Sequence, residues 1–376
     1  MIKKILYGIL ILVGLFVALV LAINLWPTHD HASGNKFENL IVFGDSLSDS
    51  SPMGYSENSA GNNYWVVPQG IPKPAGAPIT SEISPEDAHR YTWQNYLIQH
   101  YQFATGNKLA IKRELGEVNP YDSNVSYAVA SAETGDNYID DKAESPWPVM
   151  PENLCMKGTH DYGEYSCVPG VLKQVNMYLE DVNHTPNVNT LFILWAGGND
   201  FYQNIIKISG HTDEKLSHPI SNIVKAVKLL MDSGVPPENI YVLNLPNFSM
   251  VPAITTLVNN GLSGSFKRWA ALTAISIVSK SYNVWLKTEL VLATYGQFSP
   301  SNVLLIDDLF LDIYNNKDNA YQKLDITHNV ATPCATDNDL PYCQGFLFYN
   351  DMHPVTKIHD YLSGIINEKV SGHGLD

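Results

Sequence analysis

The stretch at residues 40–46 constrains the fold more than any other part of this chain. Four apolar residues come first, and Gly44, Asp45 and Ser46 follow them directly. A short apolar run that stops at a glycine predicts a strand covered on both faces, as in a parallel sheet. Ligands bind beyond the carboxyl ends of such strands, so Ser46 lies where a nucleophile would be useful. The same tripeptide also fits a plain turn in which Asp45 or Ser46 caps a helix.

Further along the chain, apolar segments with strand and helix spacing alternate. This alternation predicts an α/β domain with a mostly parallel sheet. An irregular insertion at residues 52–88 is rich in Gly, Pro, Ser and Asn and follows Ser46, which suggests a substrate-binding loop. The predicted strands are 125–130, 190–196, 239–245 and 302–306, and the predicted helices are 91–101, 169–182, 219–231 and 269–292.

The first 26 residues are separate from this pattern. Lys3 and Lys4 precede an apolar run of the length needed to span a bilayer, roughly 20 residues. No small-x-small cleavage site follows it, which favours an uncleaved signal anchor over a cleaved signal peptide. We therefore expect an anchor at 1–26, a linker at 27–37 and one globular domain at 38–372. This domain should be exported and face the periplasm or the outside, or be secreted if the N-terminal segment is cleaved.

The charge of the chain excludes one class of partner. The formal net charge of −15 argues against nucleic acid, which selects basic surfaces. It also argues against docking on anionic lipid by charge alone, because that requires basic clusters. Membrane contact is therefore expected through the N-terminal helix.

Four cysteines agree with an exported protein. Their spacing in sequence favours two small disulfide loops, and four unpaired buried thiols are the alternative. Neither spacing is Cys-x-x-Cys, so a zinc site is not predicted and no cofactor is expected. The proposed pairs are Cys155–Cys167 and Cys334–Cys343.

Three residues could together carry acyl-transfer chemistry, which needs a nucleophile, a base and fixed donors for an oxyanion. Ser46 is the candidate nucleophile, and its own N–H could be one donor. Asn199 follows the strand predicted at 190–196, and its amide is a neutral donor, although it could also simply cap a helix. His353 is the candidate base, because Asp351 precedes it by two residues and Pro354 can start a final helix.

These residues lie in motifs that resemble the GDSL (SGNH) family of lipases and esterases. The resemblance rests on three blocks in the family's order: residues 43–49 (Phe-Gly-Asp-Ser-Leu-Ser-Asp), 197–200 (Gly-Gly-Asn-Asp) and 353–354 (His-Pro). It implies a flavodoxin-like, three-layer α/β/α domain and a Ser–His mechanism without a metal. In its exported form with long inserts, the chain looks most like bacterial secreted phospholipases, lysophospholipases and lipid acyltransferases of the family.

Two positions depart from the family's pattern. The second block of the family usually supplies a glycine N–H to the oxyanion hole, and Ser131, or Ala132 if the register differs by one, stands there instead. The family's acid lies three residues before the histidine, where this chain has Asn350. Asp351 is one residue closer, and we expect it to orient His353, with Asn350 as the alternative.

The sequence thus favours a serine esterase acting on acyl esters, most of all those of phospholipid or lysophospholipid. A carbohydrate O-acetylesterase, which the family also contains, is a second reading of the same motifs. A noncatalytic binding protein on the same fold is the third, favoured only by the two departures.

Overall fold

A six-stranded parallel sheet organises the part of the chain that the structure describes. The computed structural model describes residues 14–25, 37–50, 55–57, 63–65, 92–106, 108–112, 119–129, 132–135, 137–138, 168–210, 217–315, 324, 326–327, 332–333, 345–348 and 351–371. The strands are β1 (Asn39–Gly44), β2 (Tyr55–Glu57), β3 (Asn63–Trp65), β4 (Leu109–Ile111), β5 (Asn124–Ser126), β6 (Asn137–Tyr138), β7 (Val168–Pro169), β8 (Thr190–Trp195), β9 (Ile240–Leu243) and β10 (Val303–Leu304).

In the main sheet the strand order is β10-β9-β8-β1-β5-β4, and every pairing is parallel. Two short antiparallel ladders, β2 with β3 and β6 with β7, lie outside it. The helices are α1 (residues 14–24), α2 (Trp93–Tyr101), α3 (Val171–Asp181), α4 (Gly198–Gly210), α5 (Pro219–Asp232), α6 (Pro252–Gly261), α7 (Ser265–Ala293), α8 (Ile306–Tyr314) and α9 (Thr356–Ser371).

Helices cover both faces of the sheet, which explains why β1 is apolar at every position of its interior. Leu40 and Val42 pack in one core with residues of α2, α8 and α9. Ile41 and Phe43 pack in a second core with residues of α3, α5 and α7. Successive side chains of a strand point to opposite faces, so a strand between two helical layers must be apolar throughout. The predicted mostly parallel α/β architecture is confirmed.

The chain changes direction across the sheet at β1. After β1 it builds β4 and β5 on one side, and it then returns to add β8, β9 and β10 on the other. Loops leaving β1 and β8 therefore diverge and leave a crevice at the carboxyl ends of these two strands. This kind of switch point is where open α/β sheets bind ligands.

Several element boundaries differ from the sequence prediction. Helix α4 was not predicted, and β5 ends at Ser126 rather than at residue 130. The strand predicted at 302–306 ends at Leu304, because the side-chain oxygen of Asn244 accepts hydrogen bonds from the N–H groups of Ile306 (2.6 Å) and Asp307 (3.1 Å). Asn244 lies directly after β9 and caps α8 from there. No local sequence pattern could reveal this contact.

Some predicted features lie wholly or partly outside the described residues. These include residues 1–13 of the expected anchor, most of the insertion at 52–88, and the cysteines. Within the described ranges, no helix combines the length and the apolar character needed to cross a bilayer. The four cysteines that lie outside the described residues, and with them both proposed disulfides, are Cys155, Cys167, Cys334 and Cys343.

Candidate active site

Ser46 lies in a tight turn directly after β1. The turn is built by Asp45, whose carboxylate accepts a hydrogen bond from the Leu47 N–H at 2.9 Å. The Asp45 carbonyl accepts two more, from the N–H groups of Ser48 (3.0 Å) and Asp49 (2.9 Å). Ser46 itself is only 8% exposed. The turn thus fixes the direction of the serine while most of it stays shielded from water.

A fully buried glutamine holds the end of β1 from the neighbouring helix. The Gln174 side chain on α3 accepts a hydrogen bond from the Gly44 N–H (2.8 Å) and donates one to the Gly44 carbonyl (2.9 Å). It also donates to the carbonyl of Pro169 at 2.9 Å. Both backbone groups of the residue two positions before Ser46 are therefore fixed by one side chain. Sequence reasoning missed Gln174, because a single polar residue on an apolar helix face carries no motif.

Two glycines allow the carboxyl ends of β1 and β8 to approach closely. A Cβ on Gly44 would lie 2.6 Å from the carbonyl oxygen of Trp195, its partner residue on β8. Gly197 has a φ of +115°, and a Cβ there would lie 2.8 Å from the hydroxyl of Tyr282 on α7. A side chain at Gly44 would force β1 and β8 apart, and one at Gly197 would clash with α7 and strain the backbone, so both positions require glycine.

His353 reaches Ser46 from the far end of the chain. Its Nε2 lies 3.0 Å from the Ser46 Oγ, within hydrogen-bond distance. Part of the residue is exposed to solvent, but the surrounding protein desolvates its ring and lowers the pKa of His353 to about 3. The imidazole is therefore neutral over the physiological range and can accept the serine proton.

Asn199 and Asp200 connect the start of α4 to the loop after β5. The Asn199 amide donates to the Ala132 carbonyl at 2.9 Å. The Asp200 carboxylate, which is fully buried, accepts hydrogen bonds from the N–H (2.9 Å) and the hydroxyl (2.8 Å) of Thr134. These bonds hold two loops together, the one after β8 and the one after β5, at one edge of the sheet. Thr134 was not among the predicted site residues.

The expected oxyanion donors differ in their surroundings. Among the described residues, the Ser46 N–H donates no hydrogen bond, and an amide such as that of Asn199 has a second N–H beyond the one given to Ala132. The Ala132 N–H donates to the Val129 carbonyl at 3.1 Å, which disfavours its use as a donor to substrate. Ser131 lies outside the described residues.

The expected acid does not contact the imidazole. Asp351 is exposed, and its backbone carbonyl accepts a hydrogen bond from the Ala253 N–H at 2.9 Å. Its carboxylate makes neither a hydrogen bond nor an ion pair with His353 in the described part of the chain. Asn350, the alternative, lies outside the described residues. The assignment of Asp351 as the residue that orients His353 therefore stays a prediction.

Two buried acids lie behind the serine turn. Desolvation raises the pKa of Asp45 to about 7, and the charge of Asp200 contributes to this shift. Desolvation also raises the pKa of Asp200, against the opposing effect of its bonds to Thr134. The Tyr282 hydroxyl is buried near both acids and has no hydrogen-bond partner among the described residues. The turn is therefore held by a low-dielectric cluster and not by exposed charges.

An apolar cleft lies beside Ser46 and His353. The space in it that a water-sized molecule can enter is about 30 Å³, and residues adjacent to Ser46 and His353 form part of its wall. Most of the wall is aliphatic, aromatic or thioether in character. Such a lining suits a hydrocarbon chain and not a sugar ring. The apolar residues of this wall include Leu47, Trp195, Met250, Phe310, Phe348 and Met352.

A serine on a sharp turn after a central parallel strand, with a histidine nitrogen in hydrogen-bond reach, is the arrangement of hydrolases that use a Ser–His pair. A family model described as GDSL-like Lipase/Acylhydrolase matches residues 40–362, and the chain belongs to this family. Comparison with curated proteins gave no match. Membership of the family identifies the class of activity as hydrolysis of acyl esters.

Gln174 should be needed to position the serine turn. Gln174→Leu removes three hydrogen bonds and leaves the Gly44 N–H without a partner in the core, which costs about 1–3 kcal/mol. We expect a corresponding fall in the free energy of unfolding, measured with urea, and a lower kcat. Lys173→Leu, at the neighbouring and less buried position of α3, is the control. Equal stability of the two variants would contradict the assignment.

The low pKa of His353 predicts activity that persists in mild acid. Only the neutral imidazole can accept the serine proton, and a pKa near 3 keeps it neutral well below the ordinary value of about 6.5. We expect kcat/KM to stay level from pH 7 down to about pH 5, with circular dichroism showing that the fold is intact. Asp45, with a pKa of about 7, could itself cause a decline in this range, so the pH profile is also measured for Asp45→Asn. A decline near pH 6.5 that persists in this variant would contradict the prediction.

Proposed function

We propose that this protein is a serine esterase that cleaves acyl esters of lipids, with Ser46 as the nucleophile and His353 as the general base. The observation that carries the proposal is the 3.0 Å contact between the Ser46 Oγ and the His353 Nε2, made by residues 307 positions apart in sequence. Membership of the acylhydrolase family supports the reaction class. The apolar cleft beside this pair supports the choice of a lipid acyl group.

The mechanism follows from this geometry. His353 Nε2 takes the proton of the Ser46 hydroxyl as its Oγ attacks the ester carbonyl carbon. The oxyanion that forms accepts hydrogen bonds from the Ser46 N–H and the Asn199 amide, together with a donor from the region of Ser131. The imidazolium then gives its proton to the leaving alcohol, and the acyl group stays on Ser46. A water molecule that gives its proton to His353 then attacks the acyl carbonyl carbon, and the carboxylic acid and the free serine are released.

For the group that orients His353, we propose a partner other than the Asp351 carboxylate. That carboxylate is exposed and does not bond the imidazole within the described residues. A triad acid works by direct hydrogen bonding to the second ring nitrogen, and no such bond joins Asp351 to His353 among the described residues. Asn350 occupies the position at which the family carries its acid, and we propose it as this partner.

Replacement of the nucleophile is the direct test. Ser46→Ala should lower kcat for a soluble p-nitrophenyl ester by a factor on the order of 10⁶, because no attacking group remains. The serine is largely buried and its loss removes one hydroxyl, so the variant should fold normally. Labelling by a fluorophosphonate probe should disappear in parallel. Substantial turnover by Ser46→Ala, or no turnover by the unmodified protein, would reject the proposal, the latter in favour of a noncatalytic binding protein.

Acyl-chain preference separates a lipid esterase from an O-acetylesterase. Met250 lines the cleft and is half-buried, so Met250→Trp should fill the space that an acyl chain would occupy. We expect kcat/KM for octanoyl esters to fall at least about tenfold while that for acetyl esters changes little, since each buried CH₂ contributes about 0.8 kcal/mol. Val188→Trp, at an exposed site before β8, is the control. A preference for acetyl esters in the unmodified protein would favour the O-acetylesterase.

A further inference from the structure

A pair of helices beside the cleft has a surface unlike the rest of the molecule. Helices α6 and α7 form a hairpin, and Phe266 and Trp269 lie at its tip with 74% and 62% of their surface exposed. Their rings are 5.8 Å apart and contact each other. Large aromatic side chains this exposed are rarely free of function, because they leave apolar surface in water.

Apolar exposure continues along α7. Ile277 is 60% exposed, and Val284 is 37% exposed. Phe266, Ile277 and Val284 are separated by eleven and seven residues, which correspond to about three and two helical turns and place them on one face. Val278 (54% exposed) and Trp285 (39% exposed) lie about 100° further round the helix, so the exposed apolar surface of α7 extends beyond this face.

The charge of this region is opposite to that of the protein. The chain has a formal net charge of −15, yet residues 239–288 contain no aspartate or glutamate. The same segment holds four basic residues, all of them on α7. Lys267 and Lys280 are exposed, and Arg268 donates to the Leu262 carbonyl at 2.8 Å within the tip. Lys287 is buried and Lys280 lies beside Asp308 of α8, so the uncompensated basic charge is at the tip, at Lys267 and Arg268.

This hairpin is attached to the proposed active site. Its first helix begins directly after Met250, which lines the apolar cleft, and the Ala253 N–H donates to the carbonyl of Asp351, two residues before His353. The ten residues of α6 extend about 15 Å from this point to the tip. A flat partner that holds the tip would therefore lie close to the cleft.

Helix α1 extends the same apolar surface at the other end of α7. Phe16 stacks on Trp285 with ring centroids 5.9 Å apart, and the Asn24 amide donates to the Thr288 hydroxyl at 3.0 Å. Leu15, on the same helix as Phe16, is 63% exposed. Exposed apolar side chains are thus present at both ends of α7.

We propose that the hairpin face, defined by Phe266, Lys267, Trp269, Ile277 and Lys280, docks on the surface of an anionic lipid bilayer. Aromatic and aliphatic side chains enter the boundary between headgroups and acyl chains, while the lysines pair with lipid phosphates. An anionic bilayer combines negatively charged headgroups at its surface with hydrocarbon directly beneath them, which matches the lysines and apolar side chains of the hairpin face. Docking would bring the cleft close to membrane esters, and this consequence rests on the proposed function. The docking itself does not rest on it.

Vesicle binding by the full-length chain tests this docking. The Ser46→Ala background is used so that no lipid is consumed, with flotation on vesicles of phosphatidylcholine alone or mixed equally with phosphatidylglycerol. Lys267→Glu with Lys280→Glu should weaken binding to the mixed vesicles about tenfold or more and remove the preference for them. Phe266→Ser with Trp269→Ser should weaken binding to both. Lys225→Glu and Tyr295→Asn, exposed positions away from the hairpin face, are the controls.

Hydrogen exchange locates the contact independently of any binding through the N-terminal residues. Amides of residues 259–270 should be protected by mixed vesicles, those of α5 should not, and the charge variant should lose the protection. No protection of 259–270, or equal protection in the charge variant, overturns the proposal. The proposal is also overturned if the protein sediments as a dimer without lipid, and the aromatic variant dissociates this dimer but leaves vesicle binding unchanged.

Catalysis on soluble esters separates this inference from the proposed function. The two hairpin variants lie outside the catalytic pair and should hydrolyse a p-nitrophenyl ester at the rate of the unmodified protein. If the unmodified protein has no esterase activity but its hairpin binds vesicles as described, the proposed function fails and the docking stands.

Discussion

The parallel pairing of β1 with β8 is the constraint on which the whole site depends. The two strands run together from Asn39 beside Thr190 to Gly44 beside Trp195, so their loops start at the same level. Only a glycine at position 44 permits this approach at the final pair, since a Cβ would meet the Trp195 carbonyl. The serine turn and the loop of Asn199 then face each other across the crevice, and the loop after β5 is tied to the latter by Asn199 and Asp200.

Burial organises the electrostatics of this crevice. Desolvation raises the pKa values of Asp45 and Asp200 and lowers that of His353, so each group is biased towards its neutral form. A neutral histidine is the form that a general base requires before it acts. The same low dielectric strengthens hydrogen bonds from fixed donors to an oxyanion, because water does not compete for them. The hydrogen bonds that hold the turn and the chemistry proposed for it depend on the same exclusion of water.

The charge of the molecule is distributed unevenly, and this changes what the total implies. A net charge of −15 predicts repulsion from an anionic surface, and most of the chain fits that expectation. The segment at 239–288 has no acidic residue, and the fold presents it as an exposed hairpin next to the cleft. Screening at physiological ionic strength limits the reach of distant charges to about 8 Å, so the local cluster can dominate at contact. A membrane surface would therefore meet the basic hairpin and not the average of the protein.

The sequence by itself determined the class of fold and the three motif blocks that indicate the family, because strand and turn signals are local. The apolar run before Gly44 and the Gly-Gly-Asn-Asp stretch each identify a strand end, and parallel strands place such ends at one edge. Only the tertiary structure decided what depends on distant contacts. Gln174 bonds Gly44 from 130 residues away, Asn244 ends the last strand, and the turn before α9 exposes Asp351 although it lies two residues from His353. Such partners are chosen by packing and loop geometry, which sequence spacing does not encode.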